Sequence, residues 1–359
     1  MDKDSKNKSK NKNSPVTIKD IARMAGVSIT TVSHALSGER YVKEETRQKI
    51  LKIIKDNNYK PNIIARSLSK KTTRILGVIL PDINNYIYTK ILKGIEEETA
   101  REDYILIISS TYFDDNVETN QIERLNTLFV DGLLFIGGTK DIKHIIKANV
   151  RDLPVVLVRR PVEDSGYPKI LVDNKKAIIE AVNFLLDLGH EKIGYIGGVD
   201  DQDKISIDKY NGYMEGLENN KIRPDSKNIF LKKGIMQDSH KESYDMINNY
   251  LKTNNKIDMT ALICKTDYIA LGALDAFQRN NLVIPGDLSI LGFGNLDISE
   301  HSNPKLSTIS IPFEQMGNTA AKILIESITN KKVKKETILF DTTILQREST
   351  QKLRMSFKS

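Results

Sequence analysis

The chain has a single cysteine, Cys264, which excludes an internal disulfide and any zinc site built from cysteines. It stands in the apolar run ALIC, where an inert buried thiol is expected. No stretch approaches the ~18 consecutive apolar residues of a membrane span, and no apolar core near the N-terminus marks a secretory signal. A cytoplasmic protein with no membrane partner is therefore expected. Phosphate-cradling motifs are missing too: there is no GxGxxG and no GxxxxGK, and GYIGG at 194–198 lacks the spacing. The five histidines, at 34, 144, 190, 240 and 301, show no ligand spacing. No Ser/His/Asp arrangement is legible either. These absences argue against an enzyme and call for no cofactor and no metal.

What is present is an uneven charge. Residues 1–74 carry 18 Lys and Arg against 7 Asp and Glu, which leaves the remaining residues at −4 against a total of +7. A basic head on a mildly acidic body suits a polyanion contacted through one end. At 359 residues the chain has room for two or three domains. Residues 1–14, rich in Lys, Asn and Ser, read as a disordered basic tail.

Thr17 to Leu36, TIKDIARMAGVSITTVSHAL, reads as two short helices and a tight turn. Thr17 and Asp20 form a capping box, and Ile18, Ile21 and Ala22 make one apolar stripe. Gly26 stands where a left-handed residue must end the first helix. Ser28 can cap the second, which turns Val32 and Leu36 inward and leaves Thr30, Thr31, Ser33 and His34 outside. Such a short polar face can approach base edges and phosphates in a major groove. A third helix is expected at 43–57, with Ile50, Ile53 and Ile54 on its apolar side. The following segment opens on Pro61 and is too short to hold a helix alone in water, so it should order only against something else.

From Ile75 short apolar strands alternate with helical stretches. Strands are expected at 75–80, 104–109, 132–137, 154–158, 192–197, 260–264 and 288–293. Nearly continuous apolar strands separated by helices point to parallel sheets covered on both faces.

GVSITTVSHALSGERYVKEETRQKI, followed by NNYKPNIIARSLSKKTT, resembles the LacI/GalR family of bacterial transcription regulators, over about Thr17 to Glu348. The resemblance implies a small all-α helix-turn-helix headpiece (15–60) and a hinge helix or linker (61–73). It further implies an α/β periplasmic-binding-protein-like core of two doubly wound parallel-sheet lobes. The first lobe would hold 74–171 and 303–334, the second 172–302 and 335–349, with a C-terminal tail at 350–359. It also implies a homodimeric repressor on double-stranded operator DNA. By the same resemblance Ile29, Thr30, Thr31, His34 and Arg40 lie at or near bases, and Ser28 and Ser33 at phosphates. Thr17 and Asn62 complete the DNA set, and Leu68 wedges into a minor-groove base step. His34 replaces an arginine common in the family, and Arg40 is alternatively only a phosphate anchor.

For a small-molecule effector between the lobes, the resemblance points to Asn85, Tyr88, Arg159, Arg160, Lys209, Asp267 and Asn295. Arg159 stands where sugar-binding members usually have an acidic residue, Lys209 where they have arginine, and Gly294 where they have aspartate. Thr266 replaces a common asparagine. Fewer carboxylates and more positive charge favour an anionic effector such as a sugar phosphate. The alternatives are that the arginines form structural ion pairs, that Asp267 is a helix cap, or that the cleft holds no ligand. Control by a partner protein remains open, and a stand-alone solute-binding protein is the remoter reading.

Overall fold

The computed structural model describes residues 16–37, 40–59, 72–138, 141–199, 203–233, 239–254, 257–330 and 335–353. The tail at 1–14 and most of the linker at 61–73, with Asn62 and Leu68, lie outside the described residues. The chain divides into two units, Met1–Thr73 and Arg74–Ser359.

The first unit holds α1 (Ile18–Ala25), α2 (Ile29–Ser37) and α3 (Glu44–Asp56). Its termini follow the sequence signals. The Thr17 hydroxyl accepts from the Asp20 amide, and the Asp20 carboxylate accepts from the Thr17 amide at 3.1 Å. Gly26 ends α1 at φ +71° and donates to the carbonyls of Ala22 and Arg23. Ser28 Oγ then accepts from the Thr31 amide at 3.0 Å. Ile21, Ala22, Ala25, Val32, Ala35 and Ile50 form the core, with Ile18, Leu36, Ile53 and Ile54 packed around it.

The second unit holds two six-stranded sheets. In chain order its elements are β1 (Ile75–Leu80), α4 (Tyr86–Arg101), β2 (Ile105–Ser110), α5 (Asp115–Thr127), β3 (Gly132–Ile136), α6 (Lys143–Ala148), β4 (Val155–Val158) and β5 (Lys169–Val172). Then come α7 (Asn174–Asp187), β6 (Ile193–Val199), α8 (Lys204–Asn219), β7 (Ile229–Lys233), α9 (Ser239–Thr253), β8 (Ala261–Cys264), α10 (Asp267–Arg279) and β9 (Ser289–Gly294). The chain ends with α11 (Asp297–His301), β10 (Ser307–Ser310), α12 (Phe313–Asn330), β11 (Thr337–Phe340) and β12 (Thr343–Leu345). The sheet of the first lobe runs β11-β5-β4-β3-β1-β2, and that of the second β12-β10-β9-β8-β6-β7. All pairings are parallel except β10 with β12. Both lobes thus share the 2-1-3-4-5 doubly wound order, in which ligands sit beyond the carboxyl ends of the strands at the point where the order reverses.

The lobe boundaries differ from those expected. The first crossing, between β5 and α7, falls at 172–174, close to the expected 171. The second falls at 311–312 rather than 302, because β10 pairs with β9 in the second sheet. The third falls at 341–342 rather than 335, because β11 pairs with β5 in the first.

Helix α12 returns to the first lobe and lies backbone-to-backbone on α4. A Cβ on Gly94 would stand 1.9 Å from the Glu314 carbonyl oxygen, and one on Gly317 would stand 2.0 Å from that of Ile91. The two glycines therefore set the approach of the helix that carries Asn85 and Tyr88 at its start.

A buried ion network braces the other face of this lobe. Arg160, with no exposed surface, grips Glu118 through Nη1 at 2.9 and 3.1 Å and through Nη2 at 3.1 Å; Nη2 also donates to the Asp141 carbonyl at 2.8 Å. His144 Nε2 meets Glu118 Oε2 at 2.5 Å. Burial pushes the Glu118 carboxyl up, but the His144 hydrogen bond and the Arg160 charge outweigh it and hold it below the ordinary range. Asp115, Glu118 and His144 present ligand atoms within 4.8 Å of one another, as a metal site would. Here, however, both Glu118 oxygens already serve Arg160.

Gly94→Ala should destabilise the core by about 1–3 kcal/mol in denaturant titration, since the overlap with a backbone oxygen outweighs the better helix propensity of alanine. Glu118→Gln should cost about 3–5 kcal/mol by leaving the buried charge of Arg160 without its carboxylate, and adding Arg160→Met should recover most of the loss. The wild-type contribution should be complete above the ordinary carboxylate range and vanish as the pH falls through the lowered Glu118 value.

Candidate functional site

Two surfaces gather the chemistry, one in each unit. In the first, the opening turn of α2 is presented outward. Ile29 is 43% exposed, Ser28, Thr30 and Arg40 are exposed, and Thr31, Ser33 and His34 are half-buried. Val32 and Ala35 occupy the inward positions. Helical spacing thus sorts the residues into a packed side and a polar side, the arrangement a major-groove reader requires. Thr17 is exposed, but its hydroxyl belongs to the capping box, donating to Asp20 Oδ2 at 2.6 Å.

In the second unit, the two lobes meet through residues that follow the carboxyl ends of the strands. From the first lobe, Asn85 caps α4 by accepting from the Ile87 amide at 3.0 Å. Tyr88, one turn later, is 9% exposed, and its ring lies so close to Gly137 that a Cβ there would be 2.8 Å from the hydroxyl. Burial pushes the Tyr88 phenol up to about 12.

Arg159 follows β4 in the left-handed region, at φ +54°. Its guanidinium lies 5.4 Å from the centre of the Phe313 ring, and its Nε is buried with no hydrogen-bond partner among the described residues. Strand alternation through Leu157 and Val158 would send Arg159 toward α5 and Arg160 toward α12. The observed sides are reversed. A left-handed turn at a non-glycine residue costs on the order of 1–2 kcal/mol, and it leaves one arginine for the cleft and one for the ion network. Arg160, expected among the effector contacts, is instead the structural ion pair named as its alternative.

The second lobe adds two cations and one anion. Lys209, 2% exposed, donates to the Lys265 carbonyl at 2.9 Å, with its Nζ 3.2 Å from the centre of the Phe293 ring. Burial, then the charges of Arg159 and Lys265, push its ammonium well below the ordinary value. Lys265 Nζ meets Asp203 Oδ2 and the Gly198 carbonyl, each at 3.4 Å, and touches Ser206 Oγ. Asp203 also caps α8, accepting from the Ile205 amide at 3.1 Å. Asp203, Lys265 and the Tyr195 hydroxyl, which is buried with no partner among the described residues, were not legible as site residues in the sequence.

Asp267 and Asn295 are committed elsewhere. Asp267, with no exposed surface, accepts from Thr308 Oγ1 at 2.6 Å, and from the Leu296 amide and Ser299 Oγ at 2.8 Å each. The cap of α10 comes from Thr266, whose hydroxyl accepts from the Ile269 amide at 3.3 Å. Asn295, at φ +52°, takes a hydrogen bond from Arg347 at 2.8 Å and donates to Ser310 Oγ at 3.3 Å. Of the seven expected effector contacts, Tyr88, Arg159 and Lys209 share one electrostatic neighbour, Asp203, whose charge acts on all three. At the cleft margin, Lys90 of α4 pairs with Asp297 at 2.7 Å, and the rings of Tyr86 and Tyr268 lie 5.2 Å apart, joining the lobes.

Comparison with known proteins bears on both units. Residues 17–62 match the family model of bacterial regulatory proteins, lacI family, and residues 182–350 match a periplasmic binding protein-like domain. The HTH-type transcriptional regulator RegA of Clostridium saccharobutylicum is 33% identical over 93% of this chain and 99% of its own length. The ribose operon repressor of Haemophilus influenzae is 32% identical over 94% of this chain and 99% of its own. A crystal structure of the lac repressor dimer bound to operator and the anti-inducer ONPF matches with a TM-score of 0.82 and 23% identity, over 94% of this chain and all of that one. No described helix is long and apolar enough to cross a membrane. A capped helix-turn-helix, two doubly wound lobes and relatives matched over nearly their full length place this chain in the lacI family of DNA-binding transcriptional regulators.

Proposed function

We propose that the chain acts in the cytoplasm as a homodimeric repressor, and that a small anion bound between its lobes sets its affinity for operator DNA. Ser28, Ile29, Thr30, Thr31, Ser33, His34 and Arg40 make the operator contacts, with Thr17 holding the first helix in place. A histidine offers one hydrogen bond where an arginine fork would grip guanine, so Arg40 carries more of the base discrimination. In the segment outside the described residues, Asn62 and Leu68 act in the minor groove, and Leu68 supplies the apolar wedge that unstacking a base step requires.

The observation that carries the effector reading is Arg159, whose buried Nε has no partner among the described residues. A buried guanidinium donor left unsatisfied is costly, and a carboxylate or phosphate oxygen satisfies it. Tyr88, Arg159 and Lys209 line this site, and Asn85 positions the helix that brings Tyr88 to it. The ligand controls DNA binding only to the extent that it prefers one arrangement of the lobes over the other.

Binding to duplex operator should fall on the order of a thousandfold between 50 and 200 mM salt, because several phosphates are neutralised. A flat response in fluorescence anisotropy would remove the DNA-binding assignment of the headpiece face. Leu68→Ala should weaken specific binding far more than nonspecific binding; equal losses would show that no wedge is made.

A further inference from the structure

Asp203 lies beside the Lys265 ammonium at the start of α8. Its Oδ2 faces Lys265 Nζ at 3.4 Å and contacts Ser206 Oγ. Its charge also reaches Tyr88 on α4, Arg159 in the turn after β4, Tyr195 on β6 and Lys209 on α8, groups from both lobes. Two of these groups, Arg159 Nε and the Tyr195 hydroxyl, are buried donors with no hydrogen-bond partner among the described residues. The carboxylate therefore offsets the local positive charge without satisfying those donors. Burial pushes the Asp203 carboxyl up, but Lys265 and Ser206 outweigh it and hold it ionised.

We propose that Asp203 is a built-in competitor for the effector anion: its carboxylate holds Lys265 while the cleft is empty, and an incoming phosphate monoester takes Lys265 from it while satisfying Arg159. This rests on the anionic-effector reading and narrows the ligand class. A monocarboxylate merely exchanges one negative charge for another at Lys265 and then faces the repulsion of Asp203. A dianionic phosphoryl group gains more from the two cations than it loses to that repulsion. A neutral sugar can accept hydrogen bonds from both cations but brings no charge with which to replace Asp203 at Lys265. Asp203 thereby sets a charge threshold for the effector.

The test uses the full-length protein, with inorganic phosphate and acetate as probes in calorimetric titration in phosphate-free buffer. Wild-type protein should bind phosphate and reject acetate. Asp203→Asn retains a side chain able to cap α8; it should tighten phosphate binding about tenfold or more and admit acetate. Asp203→Ser, also a capping residue, should do the same if the asparagine variant folds poorly. Arg159→Met should weaken phosphate binding in every background. Phosphate affinity that is unchanged or weaker in both Asp203 variants, with the Arg159→Met loss intact, would overturn the competitor while leaving the anion site standing. Absence of phosphate binding in wild-type and Asp203→Asn proteins alike would overturn both.

Discussion

Positive charges can be gathered in a poorly solvated cleft only if something nearby answers them, and that constraint orders the interlobe site. Arg159, Lys209 and Lys265 are drawn from different elements, and each is held by a separate device. Arg159 lies against the Phe313 ring, Lys209 lies over Phe293 and donates to a backbone carbonyl, and Lys265 is paired with Asp203. Aromatic faces and carbonyls stabilise a cation without cancelling its charge. The cleft therefore keeps a positive character that a fully paired site would lose. The contrast with Arg160 is direct: one residue further along, a guanidinium gripped through both its terminal nitrogens by Glu118 has no capacity left for a ligand.

The same division of labour separates Asp267 from Asp203. Asp267 accepts three hydrogen bonds and ties α10 to β10 and to the segment entering α11. Its oxygens are spent on holding three elements together. Asp203 caps one helix, accepts from the Ser206 hydroxyl and otherwise faces Lys265, so it can respond when a charged molecule enters. Both are carboxylates at helix starts in the second lobe, and burial and hydrogen-bond partners distinguish the brace, Asp267, from the participant, Asp203, whose side chain is 40% exposed.

Local signals were legible in the sequence, and nonlocal ones were not. The capping box of Thr17 and Asp20, the left-handed Gly26 and the inward Val32 each depend on residues within one or two turns, so the headpiece could be read directly. The long apolar strands were equally plain. Strands β5, β10, β11 and β12 are four residues or fewer and mix polar with apolar side chains; what fixes them is pairing with distant partners, and both displaced lobe boundaries follow from that. The sidedness of Arg159 and Arg160 turned on one backbone angle that neither residue type announces. Asp203 sits in the charged run DDQDK, which reads as a solvated loop until the parallel pairing of β6 with β8 carries Lys265 onto it.

The return of α12 and β11 to the first lobe also bears on how the protein is made. Among the described residues, the face of α4 around Gly94 is covered by α12 and the outer edge of β5 by β11. A ribosome reaches these after most of the second lobe has already emerged. The first lobe, though begun earlier, thus stays incomplete until most of the second has been made, and until then its nascent chain bears an uncovered helix face and an open strand edge, surfaces that chaperones bind and that favour aggregation; the second lobe is itself closed by β12, which follows β11. Neither lobe can therefore close its sheet before the last strands of the chain leave the ribosome.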